Sequence, residues 1–191
     1  NPTARVEEVA SQVLCNTEST NEVIFTTTNT DGTTTYAWEN NNTATGLEAS
    51  GNGNIPSFVG TAGTSPEVST ITVTPTYTNN EISCTGPTET FTITVNPTAQ
   101  VDEVPSQVLC NNEPTDEITF TTVNTDGTTT YTWENNNTNI GLGASGNGNI
   151  PSFTAIAGTT SETATIVVTP TFTNNNVQCT GPTETFTITV N

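Results

Sequence analysis

The sequence predicts an all-β protein of two tandem antiparallel sandwiches, and three observations predict it. The chain of 191 residues is one unit written twice: Asn1-Pro2-Thr3-Ala4 returns as Asn96-Pro97-Thr98-Ala99. The same offset carries Phe25 onto Phe120, Trp38 onto Trp133 and Cys84 onto Cys179 without insertion or deletion, the signature of a stacked module. Polar and apolar residues alternate with period two in the clearest segments, which is the pattern of a strand with one buried face. No window combines helical periodicity with capping residues.

The elements follow in order. In the first unit, strands are expected at 6–14, 23–27, 34–38, 54–58, 69–77 and 89–95, six to seven per unit, with the domains at 1–95 and 96–191. Glu89-Thr90-Phe91-Thr92-Ile93-Thr94-Val95 and Thr70-Ile71-Thr72-Val73-Thr74 alternate without error, placing Phe, Ile and Val inward and Thr outward. Pro75 and Pro170 have no N–H for a ladder, so their strand is expected to bulge or to run along an edge there. Asp31-Gly32, between the strands of Phe25 and Trp38, suits a tight hairpin turn with positive φ. The stretch from Gly46 to Gly63 is rich in Gly and Asn and is expected to hold one or two short strands around Ile55 and Phe58. Two packed sheets per unit are the simplest way to bury these inward faces.

Composition limits the function. Nineteen acidic residues face one basic residue, Arg5, for a formal charge of −18; nucleic acid and anionic membranes are repelled at long range. Hydrophobic residues make up only 30%, but the deficit is filled by Thr and Asn, and Thr is a good strand former. No apolar run is long enough to cross a membrane as a helix. The chain is expected to be soluble and to belong to a longer protein, because Asn191 repeats Asn96.

Each unit carries two cysteines, Cys15 and Cys84, then Cys110 and Cys179. An even count in a small β module reads as oxidised and extracytoplasmic, and no paired spacing of the zinc type is present. Two connectivities are open. Pairing within each unit, Cys15–Cys84 and Cys110–Cys179, is the economical one and closes a long loop, worth ~4 kcal/mol in the chain-entropy model. If Cys15 ends the first strand and Cys84 lies in the last hairpin, an immunoglobulin-like topology puts them at opposite poles. Cys15 then meets Cys179 across the junction, and Cys84 and Cys110 seek neighbours elsewhere.

A family resemblance emerges from the ordered motifs Val13-Leu14-Cys15-Asn16, Thr35-Tyr36-Ala37-Trp38, Ser50-Gly51-Asn52-Gly53-Asn54-Ile55-Pro56-Ser57-Phe58, Thr70-Ile71-Thr72-Val73-Thr74-Pro75, Cys84-Thr85-Gly86 and Phe91-Thr92-Ile93-Thr94-Val95-Asn96. Both units resemble the PKD-like repeats of giant secreted adhesins of Bacteroidetes, within the broad immunoglobulin-like group. The resemblance implies two immunoglobulin-like sandwiches of about seven strands each, export to the cell surface, often by the type IX route, and a role in adhesion or gliding. It carries over no catalytic residue. The acidic loop that follows the aromatic pair in ordinary PKD domains is replaced here by Glu39-Asn40-Asn41-Asn42.

Chemistry is restricted further by what the chain lacks. His and Lys are absent, so triads, Schiff bases and imidazole general bases are not available. Only carboxylates remain, and a small sandwich offers little cleft to hold a glycosidase pair; no enzymatic activity is expected. The acids, including Glu7, Glu8, Glu18, Glu22, Glu48, Glu67 and Glu89, read as solubility and protection of strand edges. Asp31 and Asp126 are weak metal candidates, with Asn29, Glu39, Asn124 and Glu134 nearby in sequence, but no EF-hand loop is present. No cofactor is expected beyond nonspecific or weak Ca²⁺.

Two further features invite a binding role. Thr90, Thr92 and Thr94 beside Thr70, Thr72 and Thr74 form a Thr-x-Thr array of the kind that ice-binding or polysaccharide-binding β surfaces display, although Thr fits any solvent-facing strand position. Asn41-Asn42-Thr43 and Asn136-Asn137-Thr138 match the N-glycosylation sequon. The aromatics Phe25, Tyr36, Trp38, Phe58, Tyr77 and Phe91 are in phase with core positions, not with a binding face.

The expected function is therefore a structural stalk or filament segment at the cell surface, whose partners are neighbouring repeats of the same chain or filament. Asn96-Pro97-Thr98 leaves almost no free linker, and proline stiffens the join; a rod that grows with each copy is expected. A carbohydrate- or ice-binding module using the Thr face is the alternative, with surface glycans as partners, and a self-assembling fibre subunit is the third reading.

Overall fold

A computed structural model describes residues 1–191. The chain divides into two compact units, Asn1–Pro97 and Thr98–Asn191. Each is all-β apart from one short 3-10 turn, Thr43–Thr45 in the first and Thr138–Ile140 in the second.

In the first unit the strands are β1 (Gln12–Cys15), β2 (Thr33–Asn40), β3 (Ser50–Asn52), β4 (Glu67–Asn79), β5 (Ile82–Thr85) and β6 (Glu89–Asn96). They form one sheet in the order β1-β6-β4-β2-β3, with β5 also paired to β4. All neighbours are antiparallel except β1 and β6, the first and last strands, which run parallel from Gln12↔Ile93 to Cys15↔Asn96. Read by chain position, this is the G-F-C-C′ face of an immunoglobulin-like sandwich, with β6, β4, β2 and β3 in those places. The second unit repeats it with β7 (Gln107–Leu109), β8 (Thr128–Asn135), β9 (Ser145–Asn147), β10 (Glu162–Asn174), β11 (Val177–Thr180) and β12 (Glu184–Val190), in the order β7-β12-β10-β8-β9.

The second layer is built differently. The segments expected as strands at 23–27 and 54–58 meet through isolated bridges, Ser19↔Val59 and Val23↔Ile55, and not through a continuous ladder. Side chains supply the missing bonds: Asn54 Oδ1 accepts from the Phe25 N–H at 3.0 Å and Thr20 Oγ1 accepts from the Phe58 N–H at 3.1 Å. The first expected strand, 6–14, shortens to β1 for a related reason. Its early part crosses to the second layer, where the Glu7 N–H bonds the Thr26 carbonyl.

The core lies between these layers. In the first unit it joins Phe25, Trp38, Ile55, Ile71, Val73, Phe91, Ile93 and Val95, and in the second their equivalents Phe120, Trp133, Ile150, Ile166, Val168, Phe186, Ile188 and Val190. The alternation read from the sequence holds in β4, where Ile71, Val73 and Tyr77 are buried and Thr70, Thr72, Thr74 and Thr76 are half-buried on the other face. Trp38 packs against Gly51, where an added Cβ would come within 2.3 Å of the indole.

Pro75 does not bulge its strand; it lies on a stretch of β4 that is unpaired on one side, a local edge, which is the second of the two expected arrangements. β4 is paired with β2 along its length, including Tyr36↔Pro75, but on its other side the β6 ladder ends at Val73 and the β5 ladder begins at Thr76. Pro75 occupies the gap, where no ladder calls for the N–H that proline lacks, and its carbonyl accepts from the Gly86 N–H at 3.0 Å. Pro170 and Gly181 repeat this at 3.1 Å.

Asp31-Gly32 is likewise not the turn of a hairpin. Asp31 does have positive φ, 64°, but it leads from the second layer into β2, which pairs with β4 and β3. The tight hairpin is β4–β5, whose two-residue turn Asn80-Glu81 has φ of 50° and 64° between the paired Asn79 and Ile82.

Candidate functional site

The cysteines sit at defined positions within each unit. Cys15 ends β1 opposite Asn96, the last residue of β6. Its N–H is held by Glu18 Oε2 at 2.9 Å. Cys84 lies in β5 opposite Tyr77. Because β4 pairs Glu67 with Val95 at one end and Tyr77 with Cys84 at the other, most of the length of β4 separates Cys15 from Cys84. That is roughly 30 Å at the rise of a strand, far beyond the ~7 Å between Cα atoms that a disulfide allows. The second unit repeats the arrangement: the Cys110 N–H bonds Glu113 Oε2 at 2.8 Å, and Cys179 pairs with Phe172.

The bonding states follow this geometry. Cys15 and Cys179 are disulfide-bonded, and Cys84 and Cys110 are free thiols. The economical pairings Cys15–Cys84 and Cys110–Cys179 are therefore corrected; the disulfide is Cys15–Cys179.

The outward threonines assemble into a continuous face in each unit. Ladder partners share a face of the sheet, and here Thr70 stands opposite Thr92, Thr72 opposite Thr90 and Glu39, Thr76 opposite Thr35 and Thr85, and Thr78 opposite Thr33 and Ser83. In the second unit Thr163 pairs with Thr189, Thr165 with Thr187, Thr169 with Thr132 and Thr171 with Thr130 and Thr180. The hydroxyls are spaced by about 4.8 Å across strands and about 6.8 Å along them. The face is broader than Thr70 to Thr74 and Thr90 to Thr94, because β2 and β5 extend it. Thr94 is buried, unlike the other residues of the array.

The asparagines after Trp38 act within the fold. Asn40 is buried and its Nδ2 donates to the carbonyls of Asn42, Leu47 and Glu48 at 3.0 to 3.2 Å. Asn42 caps the 3-10 turn through the Ala44 N–H and donates to Glu67 Oε2 at 2.8 Å. Asn41 Oδ1, in the first sequon, accepts from the Thr70 N–H at 2.8 Å. Sequence reading did not assign these roles; three consecutive asparagines, Asn40 to Asn42, two residues after a core tryptophan were the available signal.

Asp31 and Asp126 occupy their positive-φ turns and accept from the hydroxyls of Thr30 and Thr125. Asn29 Oδ1 accepts from the Arg5 N–H at 2.8 Å and its Nδ2 donates to the Thr3 carbonyl at 3.0 Å, tying the start of the unit to the turn. No three acidic or cysteine side chains converge as a metal cluster would require. A shallow acidic groove recurs, lined by Glu7, Glu8 and Glu22 in one unit and by Asp102, Glu103, Asp116 and Glu117 in the other. Burial pushes the Tyr36 and Tyr131 phenols above their ordinary pKa of 10.0; hydrogen bonds to Thr27 and Thr122 oppose this, and the charges of Glu7 and Asp102 add to it.

No family model and no curated protein matches the chain. Among solved structures, the chain is similar to the fibronectin(III)-like modules of Clostridium thermocellum CbhA, at 13% identity over 98% of this chain and 93% of that one, with a TM-score of 0.36. It is also similar to the FN1-FN3 domains of chicken CNTN1, at 12% identity over 98% and 66% of the two chains, TM-score 0.31. The tandem Ig repeats of Dlar give 11% identity over 97% and 96%, TM-score 0.29. Scores this low carry no argument, and the fold assignment rests on the strand order above.

Proposed function

We propose that the chain is a structural stalk or filament segment of a repetitive extracellular surface protein, in which each copy of the unit adds reach for adhesion or motility and no residue performs catalysis. One observation carries this reading: both units close the same core from equivalent residues, from Phe25 and Phe120 to Val95 and Val190. What the chain repeats is therefore a shape. The disulfide supports an extracellular setting, and the formal charge of −18 favours extension through self-repulsion. The resemblance to PKD-like adhesin repeats supports a Bacteroidetes cell surface and type IX export, with neighbouring repeats as partners and neither nucleic acid nor membrane engaged directly.

The test is to measure the maximum dimension of proteins carrying two, four and six units by small-angle X-ray scattering. A constant increment of a few nanometres per unit is expected from the length of the strands. A dimension that levels off as copies are added would end the stalk reading.

The ladder of threonine hydroxyls favours a second reading, a carbohydrate- or ice-binding face. A glycan array and an ice-recrystallisation assay decide it: binding lost on replacing Thr72 and Thr76 by Lys supports the face, and inertness in both assays removes it.

A further inference from the structure

We infer that Cys84 and Cys110 are the two halves of a disulfide formed between copies of this chain, Cys110 of one bonding Cys84 of the next in a head-to-tail series. Two independent observations carry this. The first is equivalence under the repeat. Cys110 matches Cys15 and Cys84 matches Cys179, and Cys15 and Cys179 are the disulfide-bonded pair. Local structure makes the match more than one of sequence. Cys110 is held through its N–H by Glu113 as Cys15 is by Glu18, and Cys84 faces Tyr77 across a ladder as Cys179 faces Phe172.

The second is where the free thiols lie relative to the ends of their own units. Cys84 precedes Gly86 by two residues, and Gly86 packs against the backbone of Ala4, so close that an added Cβ would overlap the Ala4 carbonyl. Cys84 thus marks the end of the first unit at which the chain comes in. Cys110 follows Leu109, whose partner in β12 is Val190, and the neighbouring Asn111 N–H bonds the Asn191 carbonyl at 2.8 Å. Cys110 thus marks the end of the second unit from which the chain leaves. A further copy placed where the chain comes in brings its exit thiol toward Cys84, and one placed beyond Asn191 brings its entrance thiol toward Cys110.

Because the two sulfurs of each bridge are different residues, the contact is heterologous, and repetition extends a series without pairing copies two by two. Cys110 is exposed and Cys84 half-buried, so both are open to exchange. With oxidised glutathione as the oxidant, the thiolate of one cysteine displaces a glutathione thiolate to give a mixed disulfide, and the second cysteine displaces the other. Two protein thiols become one disulfide, and one glutathione disulfide becomes two glutathione thiols.

The inference deepens the filament reading, but its test does not depend on it, since the scattering increments of covalently joined units do not require Cys84 or Cys110. The protein, with Cys15–Cys179 intact, is incubated at high concentration in a glutathione redox buffer. It is then resolved by non-reducing electrophoresis and its disulfide peptides are mapped by mass spectrometry. The expected result is a ladder with steps of 20.0 kDa, joined by Cys84–Cys110 peptides. C84S and C110S each remain monomeric alone, and an equal mixture of the two gives a dimer and nothing longer. Cys84–Cys84 or Cys110–Cys110 dimers as the main products, a Cys84–Cys110 bond within one chain, or glutathione-capped monomers alone would overturn it.

Discussion

The phenol of Tyr77 donates to the carbonyl of Thr30 at 2.6 Å, fastening β4 to the turn that leads into β2. The equivalent residue in the second unit is Phe172, which fills the same buried place without a hydroxyl. Tyr77→Phe is expected to lower the stability of the first unit by about 1 kcal/mol, the net worth of one such bond. Urea denaturation measures it, and an unchanged midpoint would show that the hydroxyl contributes nothing.

The β4–β5 turn holds a non-glycine residue where the left-handed conformation is costly. Glu81 has φ 64°, and its counterpart Asn176 has φ 60°. Asn adopts this conformation more readily than Glu. Glu81→Gly should therefore stabilise the first unit by about 1 kcal/mol, seen as a rise of a few degrees in melting temperature. A fall would mean that the Glu81 side chain has a role the turn geometry does not show.

Gly51 and Gly146 lie under Trp38 and Trp133, each 2.3 Å from where a Cβ would stand. Neither glycine has positive φ, so the space, not the backbone, requires it. Gly51→Ala is expected to cost roughly 2 kcal/mol or more, as overpacking of a core does, with a red-shifted tryptophan fluorescence if the indole is pushed outward. Retention of both stability and emission maximum would count against the packing argument.

Reduction of Cys15–Cys179 releases a loop spanning most of the chain, worth about 5 kcal/mol in the chain-entropy model. C84S and C110S should leave the denaturation midpoint where it is, since both thiols are free. Midpoints of the two serine variants as low as that of the reduced protein would assign the stability to the wrong cysteines.

High pH should loosen both units. The Tyr36 and Tyr131 phenols titrate above the unfolded value of 10.0 when folded, chiefly because burial disfavours the charged ring. Above about pH 10 the unfolded chain has lost these protons while the folded one keeps them, so stability falls as pH rises through that range. Below it the two tyrosines contribute no pH dependence. Melting curves from pH 8 to 11 on the parent and on a Tyr36→Phe, Tyr131→Phe variant check this; the variant should decline less steeply.

Much of the fold was legible because period two is hard to disguise. Ile71, Val73, Phe91 and Ile93 are buried where the alternation places them, and the Thr face follows from the same pattern. The second layer was misread for a physical reason: alternation reports burial and not pairing. Val23 and Ile55 are buried, yet Asn54 and Thr20 bond the backbone that a ladder would have used. The hairpin turn was missed because Asn80-Glu81 lacks the glycine that marks such turns, while Asp31-Gly32 carries that mark and performs a different task. Cysteine connectivity was only half legible: loop entropy favours closure within a unit, the immunoglobulin-like topology already pointed to Cys15 and Cys179, and the ladders of β4 decide between them by placing Cys15 and Cys84 far apart.

The parallel pairing of β1 with β6 also sets the order in which a unit can be completed. Gln12 meets Ile93, a contact of high sequence separation, and such closures are slow because the intervening chain must be ordered first. A chain emerging from its amino end therefore stays unfinished until its last strand is available. This delay has a benefit when the following unit carries nearly the same strands. β6 precedes β7 along the chain, so a unit has both its first and last strands available before the equivalent first strand of the next copy has emerged.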